Sequence, residues 1–255
     1  MHLPKCGGTT FNTILDRMYL PEEIFDIKLT DNSSLNTEDF ISLAVQEKDK
    51  IKLLKGHMQF GLHKYFSANS EYITFLRNPI ERIISYYYYV KRSPNHRLYK
   101  INLFNDEMSL YDFVTEINHP AGCRYKKYSL NYPVLDINNG QLRLISGIQD
   151  TEEFMLEKAL ENIEKYFSFV GTIEKYDKSL IILQKMYGWS LPYYEIKNKT
   201  YSRPKLDEID RNTIDTIKHF NAGDIALHKK MSALLESKLK NENTLKHDLL
   251  RVNTL

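Results

Sequence analysis

Met1-His-Leu-Pro-Lys-Cys-Gly-Gly-Thr-Thr10 opens the chain with an apolar strand end, a lysine, a Gly-Gly turn and two hydroxyl residues that begin a helix. A helix N-terminus leaves backbone N–H groups unpaired and carries a partial positive charge, so it attracts an anion placed at its mouth. Gly7 and Gly8 let the backbone approach closely, Thr9 and Thr10 add hydroxyl donors, and Lys5 adds a point charge. The following Phe11-Asn-Thr-Ile-Leu-Asp-Arg-Met18 has the apolar spacing of a helix packed on a sheet. The stretch reads as a phosphate cradle, with an ordinary strand-to-helix turn as the alternative. In the ATP and GTP loop, G-x-x-x-x-G-K-[ST], the lysine follows the glycines and a Ser/Thr holds magnesium. Here Lys5 precedes the glycines, where it can reach the transferable outer end of a nucleotide's 5′-phosphate group.

A second strand, turn and helix lies in Tyr72-Ile-Thr-Phe-Leu-Arg-Asn-Pro-Ile-Glu-Arg-Ile-Ile-Ser-Tyr-Tyr-Tyr-Tyr-Val90. Tyr72 to Leu76 is a buried-strand run, Asn78 an N-cap, Pro79 the first helical residue, and Ile80, Ile83, Ile84 and Tyr87 one apolar stripe. Arg77 therefore leaves the C-terminal end of a strand, where ligands gather in open parallel sheets, and Ser85 lies two turns into the helix.

These two motifs resemble those of the sulfotransferases that use 3′-phosphoadenosine 5′-phosphosulfate, especially the branch of heparan sulfate 2-O-sulfotransferases and bacterial carbohydrate sulfotransferases. His2 to Thr10 is similar to the family's 5′-phosphosulfate loop, and Phe75 to Tyr86 to its 3′-phosphate motif. The resemblance implies that Lys5, Cys6, Gly7, Gly8, Thr9 and Thr10 hold the 5′ end of the nucleotide, and Arg77 and Ser85 its 3′-phosphate. Weaker echoes follow at Lys55 to Gly61, Asn139 to Gly147, Phe169 to Glu174 and Asn198 to Pro204. In the last of these, the resemblance implies that Lys199, with Arg203, closes over the 3′-phosphate. The implied fold is α/β, a three-layer P-loop-like arrangement with a central parallel sheet flanked by helices and a helical C-terminal part. The expected donor is the phosphosulfate nucleotide, without metal, and the expected acceptor is a hydroxyl, on a carbohydrate at the level of the family.

Sulfuryl transfer needs a base for the acceptor hydroxyl and positive charge at the leaving oxygen. His57 ends the run Ile51-Lys-Leu-Leu-Lys-Gly-His57 and should emerge at the sheet edge where the cradle lies. Its ordinary pKa leaves it mostly neutral at pH 7. Relatives often carry a second histidine where this chain has Lys55. His63 is a weaker candidate base, and His2 is expected to pack beside the loop. Arg143 can contact acceptor or pair with a carboxylate inside the fold. Two other functions stay open: an atypical P-loop kinase, and a nucleotide-binding module without turnover. Against the kinase, the strand ends read Lys55-Gly-His57 and Leu76-Arg-Asn78, with no acid to hold magnesium. Glu174, after the last expected strand, is a poor magnesium site alone.

At 255 residues, 42% hydrophobic and 27% charged, the chain is long enough for one α/β core. Its net charge of +2 gives no overall field for nucleic acid or membranes, so anion preference must be local. Cys6 and Cys123 make no disulfide framework and no zinc-type cluster, which suggests a reducing, cytoplasmic setting. Cys6 sits where a thiolate is favoured, or is a small side chain that fits the turn. No apolar run approaches the roughly 20 residues of a membrane helix, and no signal-peptide pattern is present. Only Met1, His2 and Leu3 precede Pro4, fewer than the five or six residues of an ordinary strand, so N-terminal residues of the first strand are expected to be missing.

Short β-rich runs at Ile24 to Leu29, Ile51 to Lys55, Tyr72 to Leu76 and Phe167 to Ile173 alternate with helical patterns at Thr9 to Met18, Thr37 to Glu47 and Pro79 to Lys91. That alternation is the βαβ signature of a parallel sheet in a single domain. Residues 93–139 read as an insertion over the site mouth with a short helix at Leu110 to Ile117 and a basic, aromatic stretch at Arg124 to Tyr128. Leu206 to Lys240 reads as two helices broken near Asn221 to Asp224, with a frayed tail over 241–255.

Overall fold

The computed structural model describes residues 1–30, 34–100, 102–118, 137–190 and 204–240, and shows a mixed α/β fold. Among the described residues four short strands pair in parallel. Strand β1 (Ile24–Ile27) lies beside β2 (Leu53–Gly56), from Ile24 opposite Leu53 to Ile27 opposite Gly56. Strand β3 (Tyr72–Leu76) lies beside β4 (Phe167–Thr172), with Leu76 opposite Thr172 and an irregularity between Tyr72 and Ile73. The first residues of the chain sit in the seam between the two pairs. The Met1 amino group donates to the Ile73 carbonyl at 3.0 Å, the Thr74 hydroxyl to the Met1 carbonyl at 3.1 Å, and the His2 N–H to the Gly56 carbonyl at 2.9 Å. Residues 1–3 form no strand of their own, and these bonds tie them to both pairs.

Both faces of β3 are covered by helices. Phe75 and Phe169 pack with Phe11, Ile14 and Leu15 of α1 (Gly8–Leu15) and with Leu180 and Leu183 of α9 (Tyr176–Tyr187). Leu76, on the other face, joins Leu142 and Ile145 of α7 (Gly140–Ser146), Met155 of α8 (Glu152–Tyr166) and Leu227 of α11 (Ala222–Lys240). Each side chain buried this fully stabilises the fold by about 1.5–3 kcal/mol.

Helix α4 (Pro79–Lys91) starts where its local chemistry demands. The Asn78 side-chain oxygen accepts the N–H groups of Ile80 (3.0 Å) and Glu81 (3.3 Å), and Pro79 occupies the first turn, where its missing N–H costs nothing. Ile83, Ile84, Tyr87 and Val90 are buried against Leu110, Phe113 and Val114 of α6 (Leu110–Asn118) and Ile217 of α10 (Arg211–Phe220). Leu98 of α5 (Arg97–Lys100) and Phe104 belong to the same core, so the described half of the expected insertion is packed interior rather than a loose cover. Its remainder, including Arg124 to Tyr128, lies outside the described residues, as does the 241–255 tail.

The helical pattern expected over Thr37 to Glu47 divides into α2 (Thr37–Ser42) and α3 (Val45–Lys48). Leu43 and Ala44 between them are extended, with ψ of 144° and 152°. The buried Lys48 ammonium turns back to donate to the Ile41 carbonyl at 2.6 Å, satisfying an end of α2 that the break leaves open. The break between α10 and α11 falls at Asn221, where it was expected.

Candidate active site

The loop before α1 is wound tightly enough that two residues take left-handed backbone, Lys5 at φ 65° and Gly7 at φ 73°. Glycine adopts this conformation freely, but in lysine it stores strain of about 1–3 kcal/mol. The Cys6 N–H bonds the Leu3 carbonyl at 3.2 Å and the Phe11 N–H bonds Gly7 at 3.2 Å, which leaves the first-turn amides of Gly8, Thr9 and Thr10 as the open donors of the helix end. Thr9 is exposed and Thr10 buried. Cys6 is buried, with its sulfur 3.6 Å from the Pro4 carbonyl, and burial pushes its thiol up to about 12. Of the two readings of Cys6, the small side chain that fits the turn is the one this environment supports, since a thiolate is disfavoured there. Cys123 lies outside the described residues.

Arg77 arrives at this loop directly from the end of β3. Its guanidinium donates to the Lys5 carbonyl at 3.2 Å and reaches Glu81 at 3.4 Å. The Lys5 ammonium lies 4.1 Å from the centre of the Tyr89 ring, and the Arg92 guanidinium sits 5.9 Å from the same ring. Burial, then repulsion from Arg92 and Arg77, lowers Lys5 to about 8. Three cations thus converge on one loop and repel one another, an arrangement that an arriving multiply charged anion relieves. His96 meets the Tyr89 ring edge-on at 5.5 Å. Its Nδ1 accepts the Leu98 N–H at 3.2 Å, so in the neutral ring Nε2 carries the proton and is a donor. Burial and then the Lys5 charge push His96 down to about 4. Tyr89, Arg92 and His96 had no signal in the sequence beyond the four-tyrosine run, because their convergence depends on the end of α4 reaching the cradle.

His57 presents the opposite tautomer. Its Nδ1 lies 3.0 Å from the His2 carbonyl, which can only accept, so Nδ1 carries the proton and Nε2 keeps a lone pair. The two rings stack at 4.2 Å and 24°. Burial, outweighing the bond to His2, lowers the pKa of His57, and the Lys5 charge adds to that. Burial and the neighbouring His57 hold His2 well below its ordinary range. Two glycines make room here. A Cβ on Gly8 would fall 1.8 Å from the His2 ring, and one on Gly56, at φ 119°, would fall 2.0 Å from the Ile27 carbonyl.

The other candidates take different places. Ser85 is a buried residue of α4, two turns in from the Arg77 turn. His63 packs among Tyr166, Phe60 and Tyr72, with Nδ1 3.1 Å from the Tyr72 hydroxyl, an arrangement that braces β3. Lys55 is buried against the Asp16 carboxylate that ends α1. The Arg143 guanidinium bonds Asn138. Glu174 accepts the Asn78 N–H at 2.7 Å and lies 3.2 Å from His228; burial works to raise its carboxyl, but these bonds outweigh it and hold it low. Among the described residues no group of three or more His, Cys, Asp and Glu could hold a metal, and no helix is long and apolar enough to cross a membrane. Lys199 and Arg203 lie outside the described residues.

Among known proteins, the chain is 25% identical over 162 residues to the uronyl 2-sulfotransferase homolog pip of Drosophila melanogaster, covering 57% of this chain and 31% of that one. It is 27% identical over 193 residues to the heparan sulfate 2-O-sulfotransferase hst-2 of Caenorhabditis elegans, covering 71% of this chain and 57% of that one. The matches thus span less than two thirds of either relative. The model of the sulfotransferase family matches residues 1–230, which takes in the cradle, His57, the Arg77 turn and the start of α11, and the chain belongs to that family.

Proposed function

We propose that the protein transfers a sulfuryl group from 3′-phosphoadenosine 5′-phosphosulfate to a carbohydrate hydroxyl, on a three-layer P-loop-like frame. The observation that carries this reading is the bond from the Arg77 guanidinium to the Lys5 carbonyl, which brings the two anchor motifs to one place. The amides of Gly7 to Thr10, with Lys5, take the 5′ end of the nucleotide; Arg77 and Ser85 take the 3′-phosphate, and Lys199 closes over it. His57 Nε2 removes the acceptor hydroxyl proton as that oxygen bonds to sulfur. The bond from sulfur to the 5′-phosphate oxygen breaks, and the Lys5 ammonium meets the negative charge left on that oxygen. The products are a sulfate ester and adenosine 3′,5′-bisphosphate. The similarity to a uronyl 2-sulfotransferase homolog and to a heparan sulfate 2-O-sulfotransferase supports a glycan as acceptor. Glu174, the acid that follows β4, is already committed to Asn78 and His228, which disfavours the kinase reading.

Incubation with sulfur-labelled donor and a panel of glycans, including heparan-type polysaccharides, is expected to place label in a glycan fraction. Label that stays in the donor across the panel, together with phosphoryl transfer from Mg·ATP, would replace this reading with the kinase one.

A further inference from the structure

Gln141 stands in the second residue of α7, is 1% exposed, and has no role in the chemistry described above. Its side-chain amide nevertheless touches both halves of the site. The oxygen accepts the Arg77 backbone N–H at 2.9 Å and lies 3.4 Å from the Cys6 sulfur. The nitrogen donates to the Arg77 carbonyl at 3.0 Å and to Asp224 at 3.4 Å. A primary amide offers two acceptor sites and two donors, and all four are used here. Reversing the amide would set donor against the Arg77 N–H and acceptor against its carbonyl, so one orientation is fixed.

This clamp replaces a missing part of the sheet. The pairing of β3 with β4 ends at Leu76, so Arg77 has left the ladder when its N–H and carbonyl are taken up by one side chain, much as a neighbouring strand would take them. The clamp is itself held rigidly. Asp224, fully buried, accepts the N–H groups of Gln141 (3.2 Å) and Leu142 (2.7 Å) and lies 3.4 Å from Arg82. The Asp224 N–H donates to Asn139 at 2.9 Å, and the Asn139 amide nitrogen donates to Glu152 at 2.8 Å. Helices α7, α8 and α11 thus fix where Gln141 points, and Gln141 fixes Arg77 relative to Cys6.

We propose that Gln141 is a positioning residue that sets the separation between the 5′ anchor loop and the Arg77 anchor, and so makes the site selective for a nucleotide phosphorylated at both ends. The proposal rests on the donor reading above. A residue that merely stabilised the core would affect every ligand alike, whereas one that sets a separation matters only to a ligand that spans it.

Calorimetry on the full chain separates these cases with three ligands: adenosine 3′,5′-bisphosphate, adenosine 5′-monophosphate and adenosine 3′-monophosphate. Wild type is expected to bind the bisphosphate most tightly. In Gln141→Met, which keeps the volume but removes the amide's contacts to the Arg77 N–H and carbonyl, bisphosphate affinity should fall about 10-fold or more while each monophosphate changes less than about 3-fold. Gln141→Asn retains an amide one methylene shorter and should shift in the same direction, so it carries the comparison if Gln141→Met does not fold. Equal losses for all three ligands, or no loss for the bisphosphate, would overturn the role of Gln141 alone. A wild-type chain that prefers neither the bisphosphate nor either monophosphate would overturn the donor reading itself.

Discussion

His57→Ala is expected to lower kcat by about 10²–10⁴-fold, the range for a lost general base, with little change in donor binding. The expectation follows from a ring whose Nδ1 proton is committed to the His2 carbonyl, which leaves a lone pair on Nε2 for the proposed proton transfer. Its pH dependence has a definite sign. Burial lowers the pKa of His57, so the base stays competent below the usual imidazole range and the acid limb of kcat/KM should lie below 6.5. Protonating Nε2 removes the base, so activity falls as pH drops through that limb. In His57→Ala the acid limb should disappear along with most of the rate. Unchanged turnover and an unchanged acid limb would assign the proton to another group.

Lys5→Met should cost about 10²–10³-fold in kcat, the scale for removing one charge-stabilising donor from a developing oxyanion. Here the alkaline side is informative. Lys5 is lowered to about 8 by burial and by Arg92 and Arg77, so the free enzyme loses this charge, and with it activity, as pH rises through about 8. That limb should vanish in Lys5→Met. The same position tests the loop's backbone, because Lys5 has φ 65°. With both side chains removed, Lys5→Gly should be more stable than Lys5→Ala by about 1 kcal/mol in denaturant unfolding, since only glycine takes this conformation without strain. Equal stabilities would show that the loop relaxes when the lysine is gone.

Features with local causes were legible in the residues themselves. Strand β3 and helix α4 fall where Tyr72 to Leu76 and Asn78-Pro79 place them, because β-branched and aromatic residues, a side-chain cap and a proline at the first turn act within a few positions. The break at Asn221 is visible for the same reason. The division between α2 and α3 is not, since it depends on Phe40 packing into the core and on Lys48 bonding the Ile41 carbonyl. Within the site, the cradle and the Arg77 turn announce themselves through glycines, charge and order. The surroundings of Cys6, His63 and Lys55 depend on burial, on Tyr72 and on Asp16, all brought in by tertiary structure. The contributions of Tyr89, His96 and Gln141 escape sequence reading because they act on a ring face, a backbone amide or a carbonyl, and such contacts leave no spacing pattern behind.

Calorimetric titration of the chain with adenosine 3′,5′-bisphosphate in the presence of a chelator tests the central claim most directly. The account predicts saturable binding that is unaffected by magnesium and is weakened in both Lys5→Met and Arg77→Met, because both anchors grip one nucleotide. Binding that requires magnesium and favours ATP over the bisphosphate would contradict it.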